Sequence, residues 1–393
     1  AMKDKNYDEA IKAIGKKISL EGNIQGNLPE EKITRLEVEI AKAPKEMVPV
    51  MDAILANWYW HYFQRNRWRY SQRTGGAGGK DIKEWSLPRI LEEIDGKFQK
   101  ALAARVVLKK TPVADYEELL QKGSTPDSYR PTMFDFVAHN ALQFYQAPEQ
   151  AGAKASDAFE ISAESPIFAD ADEFVKWNPK TTDTNSRKLR AIKLYQELIR
   201  FHRGDAKKDA LIDVDLWRLQ FGKAQAFGET KNANYKKALG RFITQWADHQ
   251  ISARARHQQA SVLHGEGEFV AAHKIAKQGV DTYPNSPGGA MCHNLIQQIE
   301  AKESQVTVER IWNDPQPKIQ VKYRNVDQIH FRVVADNYER LIRTRNWRPE
   351  RLIRNEQLAL LNKEIIKEWS VKLKPADDYQ EQVVKLDVPK GMP

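Results

Sequence analysis

Few side chains in this sequence stand where they can do chemistry. The one cysteine, Cys292, opens the apolar stretch CHNLIQQI. A single thiol excludes an internal disulfide and a multi-cysteine metal site. At a helix N-terminus a thiol can be activated as a nucleophile, but in an apolar helix Cys292 is expected to pack as a small hydrophobe. Asp135 and His139 stand four apart on one helix face. They are expected to form a structural hydrogen-bonded pair, since no serine or cysteine nucleophile lies near them in sequence. His249, His257, His264 and His273 follow at intervals of eight, seven and nine residues. Those intervals do not gather a compact ligand set on one helix, so surface or core-edge positions are expected. Asp213 and Asp215 in DVD fall on different helix faces and are expected in solvent. HExxH, GxSxG, CxxC and Walker patterns are absent. No catalytic residue, cofactor or metal site is assigned, and the chain reads as a protein that does not catalyse.

The net charge of +9 raises nucleic acid as a partner. The densest candidate is WYWHYFQRNRWRYSQRT, residues 58–74, where rings interleave with Arg65, Arg67, Arg69 and Arg73. Rings that stack on bases beside guanidinium groups hold single strands. The competing reading makes Trp58, Tyr62 and their neighbours the buried face of a helix, with the arginines solvated or paired. No RNA-binding signature accompanies the stretch, and elsewhere the basic residues mix with 53 acidic ones. The helix reading is preferred, and no nucleic-acid partner is expected.

Helices must carry most of these residues. Apolar positions recur at helical spacing over 7–20, 36–40, 48–62, 87–108 and 131–145. A short helix is expected from Thr111-Pro112 to Leu120, and GGAGG at Gly75–Gly79 is a loop without phosphate-binding spacing. Residues 146–185, rich in Ala, Ser, Pro and Asp, read as an irregular connector. Helical pairs resume at Asn185. Tyr235 and Ala238 recur as Phe269 and Ala272 at the same interval of 34 residues, the tetratricopeptide period. Ala260 and Leu263 fill the first helix of the second unit, Gly267 opens its turn, Gly279 is a close-packed site and Pro284 ends the second helix. Small residues at Ala260, Ala272 and Gly279 let antiparallel helices approach closely.

After Val306 the pattern switches to alternation: VTVERIW, KIQVKYRN, DQIHFRVV, EWSVKLK and QEQVVKLDV read as half-buried antiparallel strands. A charged helical insertion interrupts them around Tyr338 to Lys367. The expected fold is mostly α with a C-terminal all-β part. Residues 1–180 form an all-helical region, 181–303 tetratricopeptide-like repeats, and 304–393 an antiparallel β-sandwich. The sequence stops at KGMP directly after a strand, so the sandwich is expected to be incomplete and the chain to be the front piece of a longer one. No run of about 18 apolar residues occurs, so no transmembrane segment is expected. The start, AMKDKNYDEA, carries no signal peptide, and its leading Ala-Met reads as a cloning remnant.

The order of these pieces resembles the N-terminal region of bacterial alpha-2-macroglobulin-like proteins. The matching stretches are WRYSQRTGG (68–76), SYRPTMFDFVAHNAL (128–142), TDTNSRKLRAIKLYQELIRFH (182–202), DTYPNSPGGAMCHNLIQQIE (281–300) and PKIQVKYRNVDQIHFRVV (317–334). The last is similar to the opening strands of a macroglobulin-like domain. The resemblance implies a non-catalytic fragment of a protease trap, with proteases as partners of the parent. It also implies a periplasmic or cell-surface location, with a lipid anchor open for the parent. A thioester in this family needs Cys-x-Glu-Gln, whereas Cys292 lies in CHNL, so no thioester residue is carried over. Bait and thioester regions are expected beyond Pro393. The alternative is a free-standing helical-repeat adaptor for a protein or peptide; nucleic-acid binding through Trp58–Arg73 ranks behind it.

Overall fold

The computed structural model describes residues 6–24, 28–71, 79, 81–116, 119–120, 125–147, 158–308, 318–344 and 352–389. Most of the expected GGAGG loop, Arg73, the end of the VTVERIW stretch and the closing KGMP lie outside these residues. The protein is mostly helical, with antiparallel strands toward its C-terminus. It falls into two units, Ala1–Trp246 and Ala247–Pro393.

In the first unit, α1 (Tyr7–Ile24) is followed by α2 (Pro29–Lys42), which opens on a proline that needs no donor there and buries Ile33, Leu36 and Ile40. Next, α3 (Val48–Ser71) runs through the interior, burying Tyr59, Trp60, Tyr62, Phe63 and Tyr70. It bends at Asn66 (φ −112°, ψ 15°), where Asn66 Nδ2 donates to the Tyr62 carbonyl at 2.9 Å. Helix α4 (Leu87–Ala103) turns one apolar stripe, Ile90, Ile94, Phe98 and Ala101 among it, against α3, and α5 (Arg105–Leu108) adds one turn. Among the described residues a 3-10 turn, Val113–Tyr116, stands where a helix to Leu120 is expected. The backbone at its start pairs elsewhere: Val113 N donates to the Pro131 carbonyl at 2.9 Å and Met133 N to that of Thr111 at 2.8 Å. These bonds lead into α6 (Met133–Tyr145), whose start is fixed by a capping box. Asp135 N donates to Thr132 Oγ1 at 3.3 Å and Thr132 N to Asp135 Oδ2 at 3.0 Å.

The supposed connector is structured over its described part. β1 (Ile161–Ser162), a 3-10 turn at Pro166–Phe168 and α7 (Ala171–Lys176) bury Ile161, Ile167, Phe168 and Phe174. Then come α8 (Arg187–His202), capped by Ser186, and α9 (Asp209–Gln225). β2 (Ala226–Phe227) pairs in parallel with β1 before α10 (Lys231–Gln245). Gly222 permits the close approach of α9 to the 3-10 turn, since a Cβ there would sit 2.8 Å from both Ile167 and Phe168.

The second unit opens with α11 (Ile251–Gly265), α12 (Phe269–Thr282) and α13 (Pro287–Glu300), each packed on the other two. Ser286 caps α13 by accepting from Gly289 N at 2.9 Å. β3 (Glu303–Thr307), β4 (Ile319–Arg324) and β7 (Gln382–Leu386) form one antiparallel sheet with β4 in the centre. β5 (Gln328–Val334) pairs antiparallel with β6 (Ile365–Lys372), and α14 (Tyr338–Thr344) and α15 (Arg354–Leu361) lie between them in sequence. Alternation places Ile319, Val321 and Tyr323 of β4 inward, where they meet Ile329, Phe331, Trp369, Val384 and Leu386 from both ladders. Between β4 and β5 sits Asn325 (φ 55°), a left-handed position that asparagine tolerates. Its Nδ2 donates to the carbonyls of Ile299 at 2.8 Å and Ala301 at 3.1 Å, tying the β part to the end of α13.

Candidate functional site

The repeat positions occupy both units. Tyr235 and Ala238, on α10, are buried in the first unit, where the Tyr235 ring lies 5.9 Å from that of Phe168. The others belong to the second unit. Ala260 and Ala272 lie in the apolar cluster with Ala276, Cys292, Leu295 and Ile299, and Leu263 and Phe269 pack on it. Gly267 takes a left-handed φ of 81° in the turn, and Pro284 follows the end of α12. A Cβ at Gly279 would come 2.5 Å from Cys292 Sγ, so the glycine is what lets α13 approach α12. Cys292 is fully buried, and burial pushes its thiol up to about 11. It therefore stays protonated at neutral pH and packs as the expected hydrophobe.

The charged residues are more deeply engaged than their sequence suggests. Asp135 is buried, and its Oδ1 meets His202 Nε2 at 2.6 Å while Oδ2 accepts from Thr132 Oγ1 at 2.8 Å. His202 Nδ1 meets Asp205 Oδ2 at 2.7 Å. The histidine that Asp135 takes is thus His202 from α8, in place of the expected His139 of its own helix. Burial pulls the His202 pKa down, but the two carboxylates outweigh it and hold it above the usual value.

Asp213 and Asp215 are buried, not solvated. Arg218, only 1 % exposed, explains Asp215: its Nε donates to Asp215 Oδ1 at 3.0 Å and Nη2 to the same oxygen at 2.5 Å. Arg218 Nη1 donates to the carbonyls of Ile167 and Ala169 at 2.7 and 2.8 Å, pinning the former connector onto α9. Asp213 Oδ2 faces Arg130 Nε at 3.7 Å. The histidines of 249–273 do not converge. His264 meets the edge of Phe269, His273 bonds Glu300 at 2.7 Å, and burial followed by the Arg254 charge lowers the His257 pKa. Among the described residues, no group of three or more His, Cys, Asp or Glu side chains is placed to hold a metal ion.

One concave site stands out, a cavity of about 320 Å³ in the first unit between α3, α6, α8 and α9. Its apolar walls are the rings of Trp60, Trp217 and Tyr195 with Leu142, and its polar lining comes from Arg67, Arg130, His139 and three glutamines. Gln146 Nε2 donates to the Leu142 carbonyl at 3.1 Å and the Tyr195 hydroxyl at 3.3 Å, which fixes that wall. Trp60 is 2 % exposed, stacks on Phe63 at 5.7 Å and meets the edge of Phe144 at 5.6 Å. Its indole N–H has no hydrogen-bond partner. A buried donor left unsatisfied costs about 1–3 kcal/mol. The bend at Asn66 precedes Arg67, which is exposed at the rim. Among the described lining residues there is no carboxylate. Arg130, Trp217 and His202 carried no signal in the sequence, because their roles depend on helices far apart along the chain.

Of the rings proposed for base stacking, Tyr59, Trp60, Tyr62, Phe63 and Tyr70 face the interior, and Trp68 is 63 % exposed beside Arg69. Among the described residues no helix is long and apolar enough to cross a membrane. Comparison with known proteins finds no matching family, no matching curated protein and no matching solved structure.

Proposed function

We propose that this chain is the non-catalytic N-terminal part of a bacterial alpha-2-macroglobulin-like protease trap. In this reading the helices are a platform that includes a tetratricopeptide-like pair and leads into a macroglobulin-like β-sandwich. The observation that carries the reading is the pair of antiparallel ladders after α13, whose inward residues, Val321 and Tyr323 from one and Phe331 and Trp369 from the other, share one apolar core. Phe331, in the stretch 317–334 whose sequence resembles the opening of such a domain, stacks on Trp369 at 4.9 Å within it. The helical repeat residues support a packing role, since each small side chain sits at a helix–helix contact. Proteases are the partners of the parent in this reading, and the periplasm or cell surface is its location.

The test is protease capture by the parent protein. After a substoichiometric trypsin cut, the trapped enzyme should still hydrolyse a small chromogenic peptide while its activity on casein falls. The isolated 393-residue chain should leave both activities unchanged. A parent that retains none of trypsin, chymotrypsin, elastase or subtilisin after cleavage overturns the proposal. So does peptide hydrolysis by the isolated chain itself.

A further inference from the structure

Protease trapping as proposed makes no use of the cavity between α3, α6, α8 and α9. We propose that it binds a small organic carboxylate carrying a planar apolar body. Three features select that chemistry. The walls are aromatic: the rings of Trp60, Trp217 and Tyr195 line the cavity together with Leu142. The polar lining is rich in donors, with Arg67, Arg130 and the indole N–H groups, and holds no carboxylate among the described residues. Among the described lining residues a cationic ligand would find no carboxylate, whereas an anion finds the Arg67 and Arg130 guanidinium groups, suited to carboxylate geometry. Finally, Trp60 at the wall carries a buried indole N–H without a partner, an unsatisfied donor beside the cavity.

Arg130 keeps its place opposite Asp213 in this scheme, so its orientation is set before a ligand arrives. Arg67, exposed after the bend in α3, supplies charge at the entrance. The volume of about 320 Å³ lies at the small end of ligand sites, which suits a single-ring acid rather than a nucleotide or a folded peptide.

The test is titration of the whole 393-residue chain with benzoate and indole-3-acetate, followed by Trp fluorescence and calorimetry. Benzamide, benzylamine and inorganic phosphate serve as the neutral, cationic and bodiless comparisons. Both carboxylates should saturate one site, benzamide should bind about tenfold more weakly, and benzylamine and phosphate should not saturate. Arg67→Gln, at an exposed position and with unfolding monitored in parallel, should weaken carboxylate binding several-fold and flatten its salt dependence. Trp60→Phe should weaken both carboxylates by about fivefold, with unfolding monitored in parallel. Leu142→Trp, which fills the cavity, should abolish binding. Benzylamine or phosphate binding as tightly as benzoate overturns the proposal. So does an unchanged carboxylate affinity in Arg67→Gln and Leu142→Trp, or no saturable binding of either acid below roughly 10 mM.

Discussion

Around α3, α4 and α6 the first unit fills its interior with Trp60, Phe63, Phe98 and Phe144. In the second unit, α11, α12 and α13 meet over Ala260, Ala272, Ala276 and Gly279. Both are helix packings, but they fail in opposite directions. Rings interlocked at 5.6–5.8 Å leave a hole when one is removed, because neighbours so large cannot collapse into the space. A seam of alanine and glycine is already close to backbone contact, so it suffers from addition rather than deletion. The polar groups divide as well. The first unit buries Asp135, His202, Asp213, Asp215 and Arg218, while the second buries Ser252, Gln258 and Ser286 without a buried carboxylate among its described residues.

The contrast is broken most severely at Phe144, which touches Trp60, Phe98 and Tyr145. Phe144→Ala should cost about 4 kcal/mol, read as an early urea transition of the first unit with the second unit's transition unmoved. In the seam, Gly279→Ala should cost about 2 kcal/mol, because the new methyl meets Cys292 Sγ. Cys292→Ala on the same chain should recover part of that loss, and a double-mutant cycle showing simple additivity would refute the clash.

A gentler probe is pH. His202 is held above its usual pKa by Asp135 and Asp205, so the protonated ring stabilises the folded first unit. That contribution is fully present below the unfolded value of about 6.5 and is lost as pH rises through the raised folded value. The midpoint of thermal unfolding of the first unit should therefore fall as pH rises through that value, and His202→Gln should remove the step. The smallest effect is expected at the Lys277–Asp281 pair, whose side chains are 60 % and 57 % exposed. Lys277→Ala should change stability by less than about 0.5 kcal/mol by chemical denaturation.

What could be read from the sequence follows the range of the interactions. The burial of Cys292 in an apolar stretch and the inward alternation of β4 are set within a few residues, and the sequence shows them. The Asp135–His202 pair spans 67 residues, and Arg218 reaches carbonyls 51 and 49 residues away. Neither partner carries a local mark, so the sequence suggested a same-helix histidine and solvated aspartates instead. The cavity is the extreme case, since its walls come from four helices and no segment of the chain describes it. The 34-residue interval was visible, but spacing alone does not reveal that Tyr235 and Phe269 belong to different units.

Asn325 has a mechanical consequence. One residue both turns the chain out of β4 and grips two carbonyls at the end of α13. Tension drawn along β4 is thus delivered to the last turn of that helix through two bonds sharing a single nitrogen. Such a joint gives way in one step, like a shear pin, whereas the ladder beside it can unzip pair by pair.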